Sequence, residues 1–469
     1  MTTPRPAAAP RRTTLHRAPV VLPMCAEPIR DGAVAVRDGL VDWVGPASAY
    51  RGEAERTHDW PGVLTPGLVN AHSHLQYTDF ADLATGGVPF PEWLIRLVRR
   101  RRTFTEQQWR DSATRGVRAV LASGTTCVAD VVTDPCVLEP LRRSGLAGIA
   151  YVEVVGADDQ SWAAHLRALL LSTLDGAPDG VPEYPGMGVS PHTPYTVGTT
   201  VFAECVRVAR ERGLRLHPHL AETTAEAEFV LAGTGPFADN ARAVGWALEL
   251  VRDGGSGLTP ARYLDSLGAL GPDVHVAHGV HLDQADRALL RERGTAVALC
   301  VRSNEILQAG EPPVAAYRAE GGPVAVGTDS LASTPSLDLL AELAALRRVA
   351  LRQGSPERGL DRWLVRAATV GGARALGLDR GANPLGVLRV GARADLAAFD
   401  VPTGPDPYAT LVAGGAGRCV ATVLAGRVVH PGVGVGQVPG HPVALPAPVV
   451  SGRPAASVLS PIDPDGAPA

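Results

Sequence analysis

Hydrophobic residues along this chain follow two rhythms. From 63 to about 377, short runs rich in Val, Ala and Ile alternate with longer segments whose apolar residues return every three or four positions. The runs at 125–132, 149–155, 186–190, 214–220, 274–280, 296–301 and 324–328 read as strands. Segments such as 199–212, 284–293 and 336–352 between them carry helical periodicity. Strands alternating with helices predict an α/β fold whose parallel sheet closes into a (β/α)8 TIM barrel. The flanks differ. In 13–62, Val/Leu stretches are punctuated by Gly and Pro, as in Gly32-Ala-Val-Ala-Val-Arg-Asp-Gly39, and read as small antiparallel strands. The same texture returns in 386–431. The two ends are therefore expected to pair as a small β-sandwich domain around a barrel spanning 63–385. Residues 1–12 are expected to be disordered, and 432–469 to form a Pro/Gly/Ala-rich tail.

Chemistry collects at the predicted strand ends. His72-Ser73-His74 closes an apolar run, and strand alternation projects both imidazoles to one side, where they can share a divalent cation. A lone His-x-His means little. Here His217-Pro-His219-Leu-Ala-Glu222, His278-Gly-Val-His281 and Gly327-Thr-Asp329-Ser330 follow it, each at a strand end. Imidazoles plus one carboxylate suit a single divalent metal: zinc, with ferrous iron as the alternative. As purely structural residues, these groups would each need a buried hydrogen-bond partner, whereas one metal with its water satisfies them together. His217, His275 and His281 are assigned structural roles, and His16, His58, His165, His430 and His441 are expected at the surface.

Composition narrows the class. A net charge of −4 on 469 residues gives no electrostatic case for nucleic acid or an anionic membrane. The one dense basic run, Arg99 to Arg102, lies in a helical pattern starting near Pro91 and reads as a solvated face or helix end. Six cysteines without Cys-x-x-Cys spacing suggest neither a zinc knuckle nor a disulfide framework. No secretory h-region and no run of about 20 apolar residues is evident. A cytoplasmic enzyme acting on a small molecule is expected.

The wording and order of these motifs resemble the amidohydrolase superfamily, in its deaminase and chlorohydrolase branch. Thr65-Pro-Gly-Leu-Val-Asn-Ala-His-Ser-His resembles the first barrel strand, Pro191-His192-Thr-Pro-Tyr195 the fourth and His219-Leu-Ala-Glu222 the fifth. Ala277-His278-Gly-Val-His281 resembles the sixth, Gly327-Thr-Asp329 the eighth, and Gly391-Ala-Arg-Ala-Asp395 the closing segment. The resemblance implies that His72, His74, His219 and Asp329 bind the metal. It implies that His278 and Asp329 deprotonate a water, and that Glu222 protonates the substrate ring. Binuclear members usually bridge their metals with a carboxylated lysine. This chain has no lysine at all, which favours one metal.

Substrate follows from finer likeness. Phe90-Pro-Glu92-Trp93-Leu and His192 resemble elements of methylthioadenosine/S-adenosylhomocysteine deaminases, in which Trp93 and His192 would meet substrate. Pro91 stands where those enzymes carry a ribose-binding glutamate. Leu299-Cys300-Val301-Arg302-Ser303-Asn304, followed by Asp329-Ser-Leu-Ala-Ser333, looks closer to aminodeoxyfutalosine deaminases of menaquinone biosynthesis. On that reading Arg302 and Ser333 face substrate, with Arg302 on its carboxylate; a structural ion pair for Arg302 is weighed equally. Guanine deaminase and triazine chlorohydrolase remain alternatives within the branch. A non-catalytic assembly protein would have a broken ligand set, and here every ligand position is filled. Relatives suggest a homodimer.

Overall fold

Gly and Pro interrupt the first fifty-odd described residues too often for helices, and the chain there forms five short strands: β1 (Thr13–Val21), β2 (Ile29–Arg37), β3 (Leu40–Pro46), β4 (Arg56–Asp59) and β5 (Val63–Pro66). The structure is a computed structural model and describes residues 13–176 and 186–431. The expected disordered start, the tail and His441 lie outside the described residues.

Eight strand positions then form a parallel ring. They are β6 (Leu68–Ser73), β7 (Thr125–Val132), β8 (Ala147–Val154), β9 (Gly186–Pro191), the interrupted pair β10 (Arg215–Leu216) and β11 (His219–Leu220), β12 (His275–His278), β13 (Ala296–Leu299) and β14 (Val324–Val326). β7 and β8 are buried at every position, as strands covered on both faces must be. Pairing runs β6 to β10 in one sheet and β11 to β14 in another. Bridges Leu216↔Val274 and Ser73↔Asp329 join the two sheets into a closed circuit. The predicted fifth strand splits at Pro218, which has no N–H to give the ladder. The seventh ends early because Val301 already starts the helix Val301–Ile306.

Three strands close the described chain: β15 (Leu396–Phe399), β16 (Cys419–Leu424) and β17 (Arg427–Pro431). β15 lies antiparallel to β5, with Val63 opposite Phe399, so both chain ends share one eight-stranded sheet in the order β17-β16-β15-β5-β1-β2-β3, with β4 also on β1. Asp395 locks the junction: its carbonyl accepts from Gly67 N, and its Oδ1 accepts from Ala425 N and Arg393 Nε.

Two expectations change on folding. Arg101 is only 9 % exposed and donates to Tyr77 Oη and Asp134 Oδ2, so one arginine of the basic run is an internal ion-pair partner. His16 is buried and accepts from Trp60 Nε1, because β1 is an interior strand of its sheet. All six cysteines are free thiols. Among the described residues, no helix is long and apolar enough to cross a membrane.

Candidate active site

β6 delivers His72 and His74 to the C-terminal rim of the ring, their rings 5.0 Å apart and nearly perpendicular. Asp130, at the end of β7, holds the turn between them: its Oδ1 accepts from Ser73 Oγ (2.9 Å) and Leu75 N (2.8 Å). A relay sets the tautomer of His72. His217 Nδ1 lies 2.9 Å from the His275 carbonyl and must donate to it, leaving His217 Nε2 as an acceptor. Burial, then the neighbouring His275 and His72, push the His217 pKa far down and keep this ring neutral. His72 Nδ1, 2.8 Å away, therefore donates to His217, and His72 Nε2 presents its lone pair to the rim.

Asp329 meets that lone pair. Its Oδ1 stands 3.6 Å from His72 Nε2 and 3.7 Å from His74 Nε2. Those spans exceed a hydrogen bond but fit a shared ion, since two ligands each about 2.1 Å from a tetrahedral metal stand roughly 3.4 Å apart. Ser303 and Ser333 hydroxyls donate to the other oxygen at 2.6 and 3.0 Å, and Ser330 N donates to Oδ1. Burial opposes ionisation of Asp329, yet the imidazoles of His72, His74 and His278 around it hold its pKa below the ordinary carboxylate range. Asn70 couples the first and eighth strands, donating to Thr328 Oγ1 and accepting from Thr328 N.

The backbone carries strain at the same places. Asp329 (φ +61°), His278 (φ +72°) and Ala221 (φ +52°) all adopt left-handed conformations at strand ends. Each costs about 1 kcal/mol or more for a residue with a Cβ. The compensation is direction: these turns bring His278 and Glu222 together, with 3.6 Å between His278 Nε2 and Glu222 Oε1. Glu226 stabilises the turn by accepting from Ala221 N and Glu222 N. Glu222 is buried, and burial, then the charges of Asp329 and Glu226, raise its pKa well above the ordinary value. His278 is lowered to about 3, chiefly by burial, with Asp329 opposing.

The donor set fits a divalent ion. His72 Nε2, the nitrogen that faces Asp329, and His219 Nδ1 are buried with no hydrogen-bond partner. One ligand atom each from His72, His219 and His278 lies within 4.8 Å of the others, and the same holds for His72, His74 and Asp329. Buried nitrogens left unpaired cost free energy that a cation would offset.

The residues expected to face substrate divide. His192 stays at the rim, its ring 4.7 Å from His219, with Nδ1 on Thr196 Oγ1 at 2.8 Å. Trp93 gives its Nε1–H to the Ala332 carbonyl at 3.0 Å, tying helix Phe90–Arg101 to the loop after β14. Ser333 is fully buried on Asp329 and orients that carboxylate. Arg302 points its guanidinium at Ser336 Oγ (3.1 Å) and the buried Glu342 (3.6 Å), which is the structural ion pair. Asn70, Asp130, Glu153, His217 and Glu226 were not singled out for the site. Asn70 was legible from its place two residues before His72, on the same strand face. Glu153 was legible as the one charged residue in a fully buried strand.

Comparison with known proteins agrees with this geometry. The model of the amidohydrolase family matches residues 63–429. A 5-methylthioadenosine/S-adenosylhomocysteine deaminase of Desulforudis audaxviator is 32 % identical over 381 residues, covering 79 % of this chain and 81 % of the relative. An aminodeoxyfutalosine deaminase of Deinococcus radiodurans is 34 % identical over 335 residues, covering 67 % and 73 %. A solved adenosine deaminase from Xanthomonas campestris with bound zinc superposes with a TM-score of 0.75 at 26 % identity, covering 89 % of this chain and 93 % of that one. With a family model spanning the whole ring of strands and a divalent-metal cluster at its rim, the chain belongs to the amidohydrolase family, among its metal-dependent aminohydrolases.

Proposed function

We propose that this protein hydrolyses the 6-amino group of an adenosine-type nucleoside and releases ammonia, with one zinc ion held by His72, His74, His219 and Asp329. The observation that carries the reading is Glu222: a buried carboxyl facing His278 beside the cluster, its pKa raised by burial and by the charges of Asp329 and Glu226. A divalent metal there supplies Lewis acidity that makes hydroxide available near neutral pH. Asp329 and the neutral His278 accept the proton lost by the attacking water. Glu222 delivers its proton to the ring nitrogen adjacent to the attacked carbon, and recovers one as the water adds. A second transfer protonates the exocyclic nitrogen, the C–N bond breaks, and ammonia leaves. Such acid–base help contributes about 10²–10⁴-fold.

Within this class the first substrate proposed is aminodeoxyfutalosine and the second methylthioadenosine or S-adenosylhomocysteine. Relatives bearing both names match at similar identity. Because Arg302 is engaged by Glu342 and Ser336, it lends the first no extra support. An ammonia-release panel of aminodeoxyfutalosine, adenosine, methylthioadenosine, S-adenosylhomocysteine, guanine and cytosine tests the reading. Turnover of guanine or cytosine alone would overturn it.

For the satellite, we propose that the eight-stranded sheet folds over itself as a sandwich. Val21, Val34, Val36 and Val41 from β1–β3 share one apolar cluster with Leu64, Leu396, Ala398, Ala421 and Val423 from β5, β15 and β16, which supports two facing halves. The proposed boundaries remain 13–62 and 386–431 for this unit and 63–385 for the barrel.

A further inference from the structure

Glu153 is the buried carboxylate that the proposed chemistry leaves without a task. It sits near the end of β8, 6 % exposed, inside a run of eight residues with no other charge. Its Oε2 accepts a 2.6 Å hydrogen bond from Thr133 Oγ1. Thr133 is itself set by Gln76, whose Nε2 donates to Thr133 Oγ1 at 2.8 Å and whose Oε1 accepts from Thr133 N. Behind it, Tyr77 Oη lies 3.2 Å from Thr133 Oγ1 and accepts from Arg101 Nη1 at 2.7 Å. Arg101 is anchored in turn on Asp134. The donors of this chain point toward Glu153 and fix one of its two oxygens. Among the described residues, the other oxygen, Oε1, has no hydrogen-bond donor. His192 Nε2 stands 4.0 Å from it, beyond a hydrogen bond. It faces the rim: ligand atoms of Glu153, His192 and His219 lie within 4.8 Å of one another.

A carboxylate oxygen held this firmly and left unpaired is an acceptor awaiting a donor. The donor is a neutral one. The cluster of His72, His74 and His219 is adjacent, and a divalent cation held there would repel an ammonium group but not a hydroxyl.

We infer that Glu153 Oε1 accepts a hydrogen bond from a hydroxyl on the non-reacting part of the substrate, making Glu153 a specificity residue that selects sugar-bearing over bare purines. This rests on the nucleoside reading above. With Oε2 taken by Thr133, one hydroxyl is read, not a pair.

The test compares the zinc-loaded full chain with its Glu153→Gln variant. Substrates are adenosine, 2′-deoxyadenosine, 3′-deoxyadenosine and adenine, and zinc content and thermal midpoint are measured alongside. In the wild type, loss of one of the two hydroxyls should lower kcat/KM about 10- to 100-fold, mostly through KM. Glu153→Gln should lose a similar factor on adenosine, and no further factor on the deoxy analogue lacking the hydroxyl that is read. Zinc should stay at one per chain. Thr133→Val, which frees Oε2 and loosens the carboxylate, should give a smaller loss with the same substrate pattern. Equal losses on all four substrates would overturn the inference and make Glu153 a support for His192. Loss of zinc in Glu153→Gln would overturn it by making Glu153 a metal ligand. If the wild type deaminates none of the nucleosides in this set or in the ammonia-release panel, the nucleoside reading itself falls and this inference with it. If it does deaminate them with no hydroxyl dependence, only the inference falls.

Discussion

Replacing His217 by leucine should weaken metal binding without touching a proposed ligand. His217 is fully buried, stacked on His275 at 3.9 Å between ring centroids, and takes the Nδ1 proton of His72 at 2.8 Å. Leucine removes both of its polar contacts. The His72 Nδ1–H loses its acceptor in a dry site, and the neutral ring is then free to carry its proton on Nε2, the atom that faces Asp329. Restoring the binding tautomer, with an unpaired N–H, costs about 1–3 kcal/mol. That agrees with the 10- to 100-fold loss of metal affinity that follows removal of a partner behind a ligating histidine. The assay is a zinc competition titration against a chromophoric chelator, on wild type, His217→Leu and His217→Gln. Glutamine offers one acceptor and one donor, so it should recover part of the loss. Because the His275 carbonyl also loses its donor, thermal midpoints are measured to separate global destabilisation from the metal effect. Zinc affinity within twofold of wild type in a folded His217→Leu protein would refute the relay.

Glu222→Gln should fold and hold its metal while turnover falls by about 10²–10⁴-fold, measured as ammonia release, because the amide keeps the shape but cannot give up the proton. Chelation should abolish activity and lower the thermal midpoint, and one equivalent of zinc should restore both; metal analysis giving two ions per chain would contradict the mononuclear site. Arg302→Met should destabilise the fold more at pH 9 than at pH 6. Burial raises the Glu342 pKa from 4.5 to about 8 against the pull of Arg302, so the stability from its protonated form is full below the ordinary value and fades as pH rises toward 8. Above that pH the methionine variant leaves an unpaired buried carboxylate, worth about 1–3 kcal/mol in denaturant melts. Activity on carboxylate-bearing and plain nucleosides should change in parallel in this variant; a selective loss on the former would return Arg302 to the substrate.

Some of this protein is readable from residue order alone. Strands covered on both faces are predominantly apolar, so β7 and β8 read as Val- and Ala-rich runs whose sole charges are Asp130 and Glu153, and polar residues that end such runs stand out at the rim. That logic places His72, His74, His219, His278 and Asp329 together from residue order alone, and the absence of lysine removes one bridging ligand outright. What surrounds them is a matter of distance across the ring. Asn70 meets Thr328 from 258 positions away, His217 meets His72 from 145, and Arg302 meets Glu342 from 40. No local pattern encodes such pairs, because a side chain's partner depends on which neighbouring strands the closed ring brings beside it. The left-handed turns at Ala221, His278 and Asp329 are likewise invisible in residues that ordinarily avoid them. Sequence by itself therefore determined the parallel barrel, its rim and the metal-binding residue types. Tertiary structure alone decided which oxygen of Asp329 faces His72 and His74, which nitrogen of His72 faces Asp329, and that Arg302 turns to Glu342. Those outcomes depend on hydrogen bonds whose directions exist only once the ring is closed.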